Sequence, residues 1–159
     1  MTHTDKLVKG LEFSHEGVFD FKEFLSLIKD LFDRYDFDFD ETKYKTKTSD
    51  ELKTTKIEWE FDRKYDDYNR GYIYTTIELS DYKESYVDGN KVVDGKLTVS
   101  IDAEMKRDYE ERWKTAPSKR FLRALYEKFV SAEKQSSVDK KLKDAVKSLM
   151  NEIKQYFKS

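Results

Sequence analysis

The chain has 159 residues, with 31 basic against 33 acidic side chains, 15% aromatic residues and no cysteine. This near-balance removes the global field that draws in nucleic acid or an anionic membrane, so any electrostatic partner must be met by a local patch. The missing cysteines exclude disulfides, thiolate metal sites and cysteine nucleophiles. Aromatic content this high predicts a folded core, and the length predicts one α+β domain over residues 1–159. Met1–Gly10 lacks the apolar stretch of a leader and no apolar run reaches 18 residues, so a soluble cytoplasmic protein with no membrane partner is expected.

In chain order, Leu7, Leu11 and Phe13 alternate with Val8 and Glu12, which predicts a short first strand ending at Gly17. A helix start follows. Asp20 is a good N-cap, Glu23 stands three residues on, and Phe19 and Phe24 occupy the two staple positions. Phe21, Phe24, Leu25, Ile28, Leu31, Phe32 and Tyr35 then recur at helical spacing, predicting a helix over Phe21–Arg34. A second strand is expected over Phe37–Thr48 with a bulge near Glu41, because the apolar parity changes between Phe39 and Tyr44.

From Thr54 to Met105 apolar and polar residues alternate at strand spacing, which reads as a sheet with one apolar and one charged face. Strands are predicted over Lys56–Tyr65, Tyr72–Tyr82 and Lys96–Met105. Turn chemistry marks Asp66–Gly71, and Asp88-Gly89-Asn90 and Asp94-Gly95 flank a short hairpin arm. After Asp108 the period becomes helical again. Thr115 and Pro117 open a helix carrying Phe121, Leu122, Leu125, Tyr126, Phe129 and Val130. Ser136-Ser137 interrupts, and Ser137 caps a last helix with Leu142, Val146, Leu149, Ile153 and Tyr156 on one stripe. The expected architecture is an antiparallel β-sheet of four to six strands packed by one N-terminal and two C-terminal helices, in the order β-α-β-β-β-β-α-α. The last helix is expected to pack on its own sheet, since two heptads fall short of an independent coiled coil.

No catalytic, cofactor or metal set emerges. Asp36, Asp38 and Asp40 suggest a calcium loop, but Glu41 stands where the loop needs glycine and Lys47 where it needs an acid. A strand with Phe37 and Phe39 inward fits better. His3 and His15 have no metal spacing, and His15 reads as a turn residue rather than a general base. The acid pairs Asp66/Asp67 and Glu60/Asp62 read as solvated positions rather than a hydrolase dyad, given 33 acids in the chain.

Residues 106–128 carry eight bases against four acids. Arg107, Arg112, Lys114, Lys119, Arg120 and Arg123 form a candidate polyanion patch, with Trp113 and Tyr109 placed to stack on a base. The opposing segment from Asp20 to Glu41 has eight acids and three bases, so the two stretches have the charges to face one another instead.

The run Ile57-Glu58-Trp59, with Asp67-Tyr68, Gly95-Lys96-Leu97, Asp108-Tyr109, Arg112-Trp113 and Phe121-Leu122-Arg123 with Tyr126, resembles a family of small uncharacterised archaeal proteins. That resemblance covers about Asp20 to Val130; it implies an archaeal source and attaches no activity. The element order is also similar, at fold level, to helix-grip lipid-binding domains, in which a curved antiparallel sheet wraps a C-terminal helix around an apolar cavity. This chain departs from them in having one clear helix where they have a pair, and in lacking their glycine-rich loop.

Three functional expectations follow. The first is a non-catalytic binding or assembly protein acting through protein contacts or self-association, because tyrosines crowd the middle strands and Tyr72 and Tyr74 fall opposite Ile73 and Ile77. The second is a carrier of an apolar small molecule between sheet and helices. The third is weak binding of RNA or another polyanion through the basic patch. No cofactor is called for.

Overall fold

A computed structural model describes residues 3–107 and 131–158. Strand β1 (His3–Phe19) leads into helix α1 (Phe21–Arg34), then β2 (Asp38–Ser49), β3 (Leu52–Lys64), β4 (Asn69–Val87) and β5 (Asn90–Arg107), and the chain ends in helix α2 (Ser131–Lys158). The five strands form one sheet in the order β1-β5-β4-β3-β2, with all neighbours antiparallel. It is an α+β fold. The segment expected to hold the Pro117 helix lies outside the described residues.

Helix α1 begins as its sequence dictates. The Asp20 carboxylate accepts a hydrogen bond from the Glu23 amide at 2.9 Å, and the Phe19 and Phe24 rings meet edge-on at 6.2 Å. Its stripe of Phe24, Ile28, Leu31 and Phe32 is buried on the apolar side of the sheet, where Phe32 lies 4.3 Å from Phe61. Helix α2 buries Leu142, Ala145, Val146, Leu149 and Ile153 in the same core, against its own sheet. Burying stripes of this size is the main force holding helices to sheet.

Several boundaries differ from the sequence reading. Strand β1 is longer, running from His3 to Phe19 with irregularities at Lys6/Val8 and Val8/Leu11 that its broken alternation hides. The β2 bulge falls between Glu41 and Lys43, as the change of parity requires. The turn after β3 is shorter than expected: the Asp66 carboxylate accepts from the amides of Tyr68 and Asn69 at 2.8 and 2.7 Å, and β4 already starts at Asn69.

Asp94-Gly95 is not a turn but lies inside β5, opposite a bulge. Asp81 and Tyr82 together oppose Gly95, and a Cβ on Gly95 would lie 2.6 Å from Tyr82 Cβ. Glycine is needed there for close approach, not for reversal. Nor does Ser136-Ser137 break α2, which runs on through both serines. Helix propensity is a weak prior, and the packing of Val138 and the anchoring of Asp139 override it.

Candidate functional site

Both described helices cover one face of the sheet. On the other face, no described element lies over the side chains of β2 to β5. That face is built from the residues between the core positions: Tyr72, Tyr74, Thr76 and Glu78 of β4 alternate with buried Ile73, Thr75, Ile77 and Leu79. Tyr72 and Tyr74 stack with centroids 6.3 Å apart and planes 10° from parallel. Tyr74 donates its hydroxyl to Glu104 at 2.8 Å, and Lys106 Nζ sits 4.3 Å from the centre of the Tyr72 ring. Burial and the Glu104 carboxylate push the Tyr74 phenol well above its ordinary range, and burial raises Tyr72 despite Arg70. Both tyrosines are thus held as neutral phenols at fixed positions.

The register arranges charge on this face in bands. Asp38 lies opposite Asp62 and Asp40 opposite Glu60, beside the tyrosines. Arg70 bonds Asp62 and lies 3.8 Å from Asp38, which relieves the first pair. The next row is mixed, with Lys43 opposite Glu58. Beyond it, Lys45 lies opposite Lys56 and Lys47 opposite Thr54, and these four line a shallow depression with Lys43 and Glu78. Like charges directly opposed across strands destabilise a sheet. Asp40 with Glu60 and Lys45 with Lys56 are such pairs, the second partly offset by Glu78, directly opposite Lys56 on β4, and by Glu58, whose carboxylate lies 4.0 Å from Lys56 Nζ.

The basic patch drawn from sequence is not assembled by what the structure describes. Tyr109, Arg112, Trp113, Lys114, Lys119, Arg120 and Arg123 lie outside the described residues. Arg107 is described, and it is 4% exposed. Its guanidinium donates to Asp5 at 2.7 Å, to Asn69 at 2.8 Å and to both Asp139 oxygens at 2.9 Å. It therefore clamps β1, β4 and α2 together rather than facing a polyanion. Desolvation opposes the charge on Arg107, but the two aspartates outweigh it and raise its pKa.

Of the other candidates, Asp38 and Asp40 lie on the charged face of β2. Phe37, just before the strand, is buried, whereas Phe39, expected inward, is 44% exposed, because β2 is an edge strand and Phe39 meets the rings of Trp59 and Phe61 at the margin of the sheet. Among the described residues no group of three or more histidine or carboxylate side chains stands ready for a metal ion. His15 stacks on Phe157 at 4.0 Å and meets Phe19 edge-on, so its ring serves packing. Asp66 caps its own turn. Tyr68 and Tyr82 are buried, so of the crowded tyrosines Tyr72 and Tyr74 hold the open face and Tyr86 the exposed hairpin tip.

An open cleft of about 360 Å³ lies where the start of α1 meets the β4–β5 arm, lined by Phe21, Leu25, Tyr44, Tyr82 and Val93 with Lys22 and Lys91 at its rim. No described helix exceeds the length and apolarity needed to cross a membrane. Neither a protein-family model nor a curated protein matches the sequence. The banding of charge escaped the sequence reading. Its signal, acids at 38, 40, 60 and 62 and lysines at 43, 45, 47 and 56, becomes a pattern only once the register is known.

Proposed function

We propose that this chain is a cytoplasmic, non-catalytic binding or assembly protein whose working surface is the open face of the sheet. The observation that carries it is the Tyr72–Tyr74 pair, stacked and tethered on a face that neither described helix covers. Tyrosine supplies large contact area with a polar tip, and side chains already ordered by Glu104 and Lys106 lose little entropy on docking. The test is native mass spectrometry of the protein purified from its own host, beside a Tyr72→Ser/Tyr74→Ser variant. A polypeptide, identical or different, retained by the wild type and lost from the variant is the expected result. A partner-free monomer, or a partner indifferent to both tyrosines, overturns the reading.

A carrier role is the second reading, favoured by the α1 cleft, whose volume reaches the lower range of small-molecule sites. Against it, the space between the helices and the sheet centre is filled by interlocking rings, with Phe24, Phe32, Trp59 and Phe61 almost fully buried. An apolar small molecule retained in the same mass spectra, and displaced by Leu25→Trp, would favour the carrier.

A further inference from the structure

We infer that the open face is a self-complementary docking surface and that its occupant is a second copy of this chain. The two copies are related by a two-fold axis lying along the row Lys43, Glu58, Thr76 and Ser100. The inference rests on the open face being the working surface, and it names the partner.

The argument begins with the two like-charge rows. Asp40 opposite Glu60 and Lys45 opposite Lys56 each place equal charges side by side on neighbouring strands. Glu60 and Lys56 lie two residues to either side of Glu58, a distance of about 7 Å each way at strand rise. A two-fold axis through the Glu58 row, in the plane between two facing sheets, lays the acidic row of each copy over the lysine row of the other. The repulsion in both like-charge pairs, only partly offset at Lys56 by Glu58 and Glu78, is then relieved at once. The same operation sets Glu104 over Lys96, and Lys6 over Glu16. At the axis stand the small neutral Thr76 and Ser100, which let the sheets approach; Lys43 and Glu58 each meet their own counterpart there, and the opposite charge on the neighbouring strand offsets each of those like contacts.

Other occupants fit worse. A polyanion satisfies the lysines but is repelled by the carboxylates about 14 Å away, four residues along one strand. A polycation meets the reverse problem. Edge-on pairing of β2 with a second β2 centred on Lys45 sets Lys45 against Lys45 and Lys43 against Lys47, and edge lysines of this kind oppose such pairing. A second copy presented face to face carries both charge signs in the required order by construction, as an isologous interface must.

The test uses the full chain in two charge-reversed forms, Lys45→Glu/Lys56→Glu and Asp40→Lys/Glu60→Lys, with sedimentation velocity as the readout and circular dichroism to check folding. Wild type is expected to dimerise. Each variant alone should self-associate about tenfold more weakly or worse, and an equimolar mixture should recover the wild-type dimer, since every reversed contact is then attractive again. A monomeric wild type, variants that dimerise as wild type does, or a mixture that stays monomeric each overturns the inference. Should a variant fail to fold, wild type decides. Its dimer should weaken about tenfold from low to high salt, and a salt-independent dimer refutes the charge pairing. A monomeric recombinant protein that nevertheless holds a different polypeptide through Tyr72 and Tyr74 would end this inference and leave the proposed function standing. Loss of every partner would end both.

Discussion

Thr75 sits at the centre of β4 between Trp59 and Ile101, and its hydroxyl is buried with no hydrogen-bond partner among the described residues. A threonine fits the strand there by its β-branch, but the hydroxyl pays a desolvation cost that a methyl group would not. Thr75→Val is therefore expected to stabilise the fold by about 1 kcal/mol, seen as a higher denaturation midpoint at unchanged slope. A loss of stability would mean that the hydroxyl is satisfied. Arg107 is the opposite case, a buried charge each of whose three nitrogens finds an acceptor, and no local pattern announces it. Its partners stand 102, 38 and 32 residues away.

The β4–β5 ribbon depends on one irregularity. Asp81, at φ 48°, and Tyr82 share the place opposite Gly95, and the Tyr82 hydroxyl then reaches Thr55 at 2.8 Å, with Thr46 beyond it. The bulge therefore aims Tyr82 into the core and turns the arm that carries Tyr86. Gly95→Ala would drive a Cβ to 2.6 Å from Tyr82 Cβ and 2.9 Å from its Cα, where backbone must shift. The expected cost is about 1–3 kcal/mol, read by chemical denaturation, with altered amide signals concentrated around Tyr82. Asp50-Glu51 and Asp88-Gly89 are the two-residue reversals of the sheet, in which all four residues adopt positive φ, whereas β3 turns into β4 through the longer loop capped by Asp66.

Across the whole molecule the Arg107 clamp joins the first strand, the sheet and the last helix, so its titration bears on global stability. Partial burial raises the Asp5 carboxyl, but the hydrogen bond and charge of Arg107, with His3, outweigh it and leave Asp5 below its ordinary 3.8. A carboxylate lowered on folding contributes stability that is complete above its unfolded pKa. That contribution is lost as the pH falls through the lowered folded value. Wild type should therefore exceed Asp5→Asn in thermal midpoint at neutral pH, and the two should converge as the pH falls through the lowered folded value, below the ordinary carboxylate range. A gap that persists at acid pH would assign the effect of Asp5 to packing instead.

Local chemistry written into neighbouring residues determined much of the fold. The Asp20 cap and the Phe19/Phe24 staple specify where α1 begins, the change of parity after Phe39 specifies the β2 bulge, and alternation from Ile57 to Met105 specifies which side chains are buried. These signals are legible because each is a relation between residues within a few positions of one another. The tertiary structure alone decided what depends on distant partners. It made Asp94-Gly95 a strand position, because Tyr82 comes within contact of the glycine, and it carried α2 through Ser136-Ser137, because the helix is held from its buried side. It drew Arg107 inward to Asp5 and Asp139. The candidate site divides the same way: Tyr72 and Tyr74 could be assigned to the charged face from period alone. The opposed rows of Asp40 with Glu60 and Lys45 with Lys56 required the register, since strand pairing and not sequence neighbourhood brings those charges together.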